Sequence, residues 1–201
     1  FLDNAKKPNM AIIGGSKIST KIQLLNNLIE KFSVVVIGGA MANTFLLANN
    51  YNVGKSLVEK DLIQEANNIQ LKAKKLNCEL ILPTDVLCGK NIHDTNPVNC
   101  KIHEMSPEEM ILDIGENSTE FINNKIINSK MVLWNGPVGA FEFKPYDKAT
   151  NAIANIIKVN AKKLNINTLA GGGDTVSAIK NTNTEDGFNY ISNAGGAFLE
   201  W

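Results

Sequence analysis

The chain has 201 residues, 44% of them apolar and 20% charged, which fits one globular domain of ordinary core size and excludes wholesale disorder. Its formal net charge is zero, so a nucleic-acid binder that lives on phosphate contacts is disfavoured. No apolar run approaches the ~20 residues of a membrane span and the first residues show no signal-peptide pattern, so a cytoplasmic protein is expected, with neither nucleic acid nor membrane as a partner. Cys78, Cys88 and Cys100 are too few and too widely spaced for a disulfide framework. Cys88, His93, Cys100 and His103 follow a C-x4-H-x6-C-x2-H order, too open at its first pair for a tetrahedral zinc site.

In chain order, residues 10–13 are a short apolar run expected as a strand. Thr20 followed by Gln23 fits a capping box, and Ile18, Ile22, Leu25, Ile29 and Phe32 continue at helical spacing. Residues 34–37 are β-branched and uninterrupted, as suits a strand buried on both faces. Ser56 with Glu59 makes a second capping box, ahead of a stripe at Leu62, Ala66, Ile69, Ala73 and Leu76. A strand is expected at 79–82, then loops with a short hairpin over 83–101. Ser106-Pro107-Glu108-Glu109 signals another helix entry, with proline at its favoured first position. A helix at 117–127, a strand at 130–134, a helix at 146–163, a strand at 166–170, a short helix at 174–180 and a strand at 190–192 complete the series. Strands alternating with helices imply βαβ crossovers and a mainly parallel sheet. The expected fold is a single α/β domain over 1–201: a Rossmann-like parallel sheet with helices on both faces, in three layers.

Five apolar runs end in glycine and give way to a helix-like pattern, at residues 10–15, 34–39, 131–136, 168–173 and 190–196. Such junctions lie at the carboxyl ends of parallel strands, where these sheets bind ligands. Gly171-Gly172-Gly173-Asp174-Thr175 allows close approach by a phosphate and aims helix N–H groups at it; Asp174 would hold a divalent cation or merely cap the helix. Lys17 and Lys21 flank a helix start, where the dipole opposes a cation unless an anion is present. Neither a P-loop nor a G-x-G-x-x-G fingerprint can be matched, which disfavours a dinucleotide enzyme. Asn135 leaves a strand end with an amide able to donate to phosphate, and Glu142, between two phenylalanines, is placed to accept from ribose hydroxyls. Asp113, in Leu112-Asp113-Ile114-Gly115, reads more simply as a turn residue than as a ligand.

Taken in order, Gly14-Gly15-Ser16-Lys17-Ile18-Ser19-Thr20-Lys21, Ile37-Gly38-Gly39-Ala40-Met41-Ala42-Asn43-Thr44-Phe45, Gly54-Lys55-Ser56-Leu57, Leu112-Asp113-Ile114-Gly115, the string from Trp134 to Phe143, Gly171-Gly172-Gly173-Asp174-Thr175 and residues 192–200 resemble phosphoglycerate kinases. The resemblance is to the C-terminal, nucleotide-binding domain of the bacterial type and covers essentially the whole chain. It implies ATP or ADP as substrate with Mg²⁺, and phosphoryl transfer with 1,3-bisphosphoglycerate or 3-phosphoglycerate held by an N-terminal domain. Lys17 would contact the phosphoryl group in flight and Lys21 the nucleotide phosphates. Gly172 and Gly173 would cradle the β-phosphate, Asp174 would hold Mg²⁺, and Thr175 and Asn135 would bind phosphate oxygens, with Gly136 and Pro137 beside them. Glu142 would meet the ribose, and Gly15, Ser16, Gly38 and Gly39 would wall the adenine slot. Phosphoryl transfer asks mainly for positioning and charge neutralisation, which this inventory suits.

Three residues depart from the family's pattern. Ala40 stands where a third glycine is usual, Ala194 where the terminal S-T-G-G-G-A string has a glycine, and Ala140 where a valine is usual. The first two motivate a second reading, a non-catalytic nucleotide-binding or interaction module of the same fold. The N-terminal domain and the extreme C-terminus have no counterpart in these residues, so the chain reads as an excised or truncated domain, monomeric, that binds MgADP or MgATP without turnover.

Overall fold

The computed structural model describes residues 6–194. A six-stranded parallel sheet runs in the order β3 (Glu79–Ile81), β2 (Val34–Ile37), β1 (Asn9–Ile13), β7 (Met131–Asn135), β8 (Asn167–Gly171), β9 (Tyr190–Ser192). Every pairing in it is parallel. Successive residues of each central strand feed opposite layers, as the two-residue period of a strand requires. Met10, Ile12, Val36, Val132 and Trp134 pack with Ile122 and Ile126 of α4 (Glu116–Ile127) and with Ile153 and Ile157 of α5 (Lys148–Leu164). Ala11, Ile13, Val35, Ile37 and Leu133 pack with Leu25 and Ile29 of α1 (Ile22–Lys31), Phe45 of α2 (Met41–Ala48) and Ile69 of α3 (Ile63–Lys75). The short α6 (Gly173–Asn181) follows β8. The three-layer α/β/α expectation is met.

The segment from 85 to 114 differs from expectation. β4 (Asp85–Gly89) and β5 (Val98–Lys101) form the anticipated hairpin, but β6 (Met110–Ile114) joins them on the other side of β4, giving a separate antiparallel sheet in the order β5-β4-β6. Ser106-Pro107-Glu108-Glu109 therefore enters a strand, not a helix. Ser106 Oγ accepts from Glu108 N at 3.2 Å, closing a turn, and the five residues that follow are too few and too apolar to be anything but a paired strand. Its own small core holds Leu46, Val53, Val86, Cys88, Ile102 and Met105.

Both expected capping boxes are absent, because their side chains serve other contacts. α1 begins at Ile22 with no side-chain cap, and Thr20 Oγ1 donates to Lys17 O at 2.9 Å. α3 begins at Ile63; Ser56 Oγ accepts from Ile111 N at 2.8 Å, and Glu59 reaches Ser19. Helix N-termini are capped instead by acids from distant strands. Asp85 on β4 accepts from Asn117 N at 2.9 Å and Ser118 N at 2.7 Å of α4. Asp113 on β6 accepts from Ala149 N of α5 at 3.0 Å. Four asparagines, at 50, 77, 165 and 183, take left-handed backbone just after α2, α3, α5 and α6, where short polar side chains tolerate positive φ.

The crest of the sheet depends on close backbone crossing. β1 and β7 are neighbours at the point where the strand order reverses, and Gly14 N donates to Asn135 O at 2.9 Å just beyond them. Gly136 has φ +98°, and a Cβ there would fall on the backbone of Gly14. Gly136→Ala is expected to lower stability by about 1–3 kcal/mol from backbone strain alone. Urea unfolding with an unchanged m-value and a lowered midpoint is the expected result; an unchanged midpoint would show that the crossing has slack.

Candidate functional site

Three turns meet at the carboxyl ends of β1, β7 and β8. Lys21, at the entry to α1, donates from Nζ to Asn135 Oδ1 at the last position of β7. Asn135 Nδ2 donates to Gly171 O at 2.8 Å, and Gly136 N donates to Thr175 Oγ1 at 2.6 Å. Asn135 is 1% exposed and Thr175 is fully buried, so these bonds fix the frame of the site from beneath. Desolvation pushes the Lys21 ammonium below its ordinary pKa, while the charge of Asp174 works in the opposite direction.

α6 opens the site on the anion side. Gly172 has φ +95° and its N–H is engaged by Ser192 O at 3.1 Å. Among the described residues, the first-turn amides of Gly173, Asp174 and Thr175 have no acceptor, and a Cβ on Gly173 would meet open space. Three free N–H groups at the positive end of a helix form an anion cradle. Thr175 thus offers its amide, and its hydroxyl oxygen accepts from Gly136 N. Asp174 is exposed beside it.

A cleft of about 540 Å³ adjoins this cradle. Gly15, Ser16, Gly39, Pro137, Glu142 and Asp174 are on its wall, as is Ala40. The opposite wall was not legible in the sequence: Met110, Ile111 and Leu112 come from β6, Asn91 and Ile92 from the β4–β5 loop, and Leu57 from the segment before α3. Leu57 and Leu112 fall in strings that carry the family resemblance, but nothing local gave them a place in a cleft, and the residues just ahead of β6 imitate a helix entry. A cleft of this size with mostly apolar walls suits a flat heterocycle. Gly38 does not line it; a Cβ on Gly38 would strike Val138, so this glycine lets the 137–139 turn sit down on β2. Lys17 is exposed where the turn Ile18–Thr20 begins and is not part of the wall.

The altered alanines cause no backbone strain. Ala40 has φ −64° and ψ −22°, ordinary for the residue before a helix, and Ala194 is outside the left-handed region. The expected glycine junction at Gly195–Gly196 lies outside the described residues.

Asp113 is not a turn residue. It is 1% exposed in β6, borders the cleft, and accepts from Ile114 N at 2.9 Å as well as from Ala149 N. Any Cβ on Gly139 would collide with its carboxyl, so it supports the turn that carries Glu142.

A doubly wound α/β domain with an apolar cleft and a helix-borne anion cradle at its switch point belongs to the class of open parallel-sheet proteins whose ligand crevice lies at the strand carboxyl ends. The phosphoglycerate kinase family profile matches residues 1–201, and the chain belongs to that family. It is 43% identical to the phosphoglycerate kinase of Rhodospirillum centenum over 201 residues, which are 100% of this chain and 51% of that one. With the Bartonella bacilliformis enzyme the identity is 46%, over 100% of this chain and 50% of the relative. The structure of phosphoglycerate kinase from Coxiella burnetii superposes with a TM-score of 0.93 at 37% identity, over 98% of this chain and 51% of that chain. The Pyrococcus horikoshii structure, at 22% identity and a TM-score of 0.79, shares the fold. The chain spans about half the length of the curated relatives it matches. Among the described residues, no helix is long and apolar enough to cross a membrane.

Burial pushes the Asp113 carboxyl up to about 8, against two backbone hydrogen bonds and the charge of Lys148 that pull it down. The unfolded chain releases this proton near pH 3.9, so between about pH 4 and pH 8 the folded state binds more protons and stability falls as pH rises. The unfolding free energy of the unaltered protein, relative to Asp113→Asn, should therefore decline with pH across that window, at most by about 1.4 kcal/mol per unit. Paired urea titrations at pH 5 and pH 8 check this; a difference that is flat or grows with pH refutes it.

Proposed function

We propose that this chain is the C-terminal, nucleotide-binding domain of a phosphoglycerate kinase, over residues 1–201, monomeric and cytoplasmic. The whole enzyme would transfer a phosphoryl group between 1,3-bisphosphoglycerate and ADP, giving 3-phosphoglycerate and ATP. The supporting observation is the convergence of Lys21, Asn135 and the open amides of α6 beside a cleft sized for a base.

The adenine would lie in the cleft between Gly15, Ser16 and Gly39 on one side and β6 on the other, with Gly38 setting the depth of the Val138 side. Glu142, exposed at the rim, would accept from the ribose hydroxyls. The phosphates would run past Pro137 and Gly136 to Gly172, Gly173 and Thr175, where helix amides replace water as donors. A phosphate there restores the charge balance that desolvation denies Lys21. Asn135 would hold the Lys21 ammonium against the phosphate chain, and Lys17 would neutralise the group in flight.

Among the described residues no group of three or more His, Cys, Asp or Glu side chains could hold a metal. A single exposed carboxylate, Asp174, beside a phosphate cradle fits Mg²⁺, which takes one or two carboxylates and draws its other ligands from phosphate and water. When bound, Mg²⁺ would neutralise the phosphate oxygens and order them. The second substrate, 3-phosphoglycerate or 1,3-bisphosphoglycerate, would be held by residues outside this chain.

Titration calorimetry of the protein with MgADP should show saturable binding, and Lys21→Ala should weaken it about 10- to 100-fold, as loss of a charged hydrogen-bond donor does. Incubation with 1,3-bisphosphoglycerate and MgADP should yield no ATP from this chain alone. Folded protein without a heat of binding would refute the nucleotide site; ATP formation would refute the division of labour.

A further inference from the structure

Beside the base cleft and the anion cradle, the Lys17 turn has a feature of its own. Residues 18–20 form a lone 3-10 turn whose flanking residue, Lys17, is extended and supplies no side-chain cap. A single turn cannot satisfy its own leading amides. Its cap comes from a residue 40 positions away: Glu59 Oε2 accepts from Ser19 N at 3.1 Å, and Oε1 accepts from Ser19 Oγ at 2.5 Å. Both oxygens of the carboxylate are spent on the turn.

Glu59 is itself held. Its backbone N–H donates to Thr44 Oγ1 at 3.1 Å, and Asn43 Nδ2 donates to Leu57 O at 3.2 Å. Asn43 and Thr44 are buried on α2, so residues 57–59 are fastened to a helix of the core. Leu57 borders the base cleft. One short segment therefore touches the cleft at one end and the lysine turn at the other. Asp85 of β4, facing α4, and Asp113 of β6, facing α5, cap helices across the chain in the same way, but Glu59 alone of the three caps the turn next to an expected phosphate ligand.

We infer that Glu59 is a positioning residue for Lys17: its carboxylate closes the 18–20 turn and sets the direction in which that turn presents the lysine to the transferred phosphoryl group. The inference rests on the nucleotide-site reading above. Burial raises the Glu59 pKa, but the hydrogen bonds from Ser19 and Ile18 and the charge of Lys17 outweigh it, so the carboxyl sits below the ordinary glutamate range and stays ionised at neutral pH.

The test separates a clamp on Lys17 from general support of the fold. MgATP carries the transferable phosphoryl group and MgADP lacks it, so a fault confined to Lys17 discriminates between them. Glu59→Ala should weaken MgATP about tenfold and MgADP less than about twofold, with no further loss when added to Lys17→Ala. Amide exchange of Ser19, measured without nucleotide, should speed up in the same variant. Glu59→Gln, which keeps one acceptor oxygen, should show a smaller loss, and Ser19→Ala an intermediate one, so the result survives if Glu59→Ala folds poorly. Equal losses for both nucleotides, additive losses with Lys17→Ala, or unchanged Ser19 exchange would each overturn the inference. Unaltered protein that binds neither nucleotide would overturn the functional reading, while the exchange measurement still reports on the clamp.

Discussion

Where β1 and β7 end, two backbones cross with no room for a side chain. Gly14 and Gly136 occupy each other's Cβ space, and Gly39 stands equally close to Gly15, where a Cβ would lie 2.5 Å from its carbonyl oxygen. This contact brings the three site turns within reach of one another. Asn135 can then take Lys21 from the first turn and give to Gly171 at the third, while Gly136 passes its N–H to Thr175. A β-carbon at the crossing would push apart the groups that those bonds unite. The sheet's central pairs, buried on both faces, make the crossing rigid rather than adjustable.

Upon that crossing the electrostatics follow. Lys21 is partly stripped of water and shares its neighbourhood with Asp174 and the positive end of α6. A cation beside a helix N-terminus is unfavourable until an anion arrives. On the proposed reading, binding and charge balance are linked: the frame is assembled in advance, and an anionic ligand would complete the charge.

The parallel sheet was legible because its strands are short apolar runs that stop at glycine, a pattern with few other causes. Lys21, Asn135 and Thr175 stood out for the same reason, since each lies beside such a stop, Asn135 just before its glycine and the other two after theirs. What escaped was whatever a distant residue supplies. Thr20 and Ser56 look like local caps, yet α1 and α3 begin without a side-chain cap, while Asp85, Asp113 and Glu59 cap α4, α5 and the 18–20 turn from across the chain. Ser106-Pro107-Glu108-Glu109 has the residues of a helix start and the tertiary setting of a turn into β6. Asp113 looked like a turn residue because a buried carboxyl group is recognisable only from the helix end it faces. The far wall of the cleft was hidden along with β6.

The cleft joins two separately built pieces, the crest of the parallel sheet and a small antiparallel sheet with its own core. The anion cradle belongs wholly to the first piece, whereas Met110, Ile111, Leu112, Asn91 and Ile92 belong to the second. The two pieces are tied where Ala140 N donates to Leu112 O at 2.7 Å, between the turn after β7 and β6. The pocket thus has two walls of separate origin in the fold: one is the crest of a buried parallel sheet, the other the face of a small sheet with a core of its own.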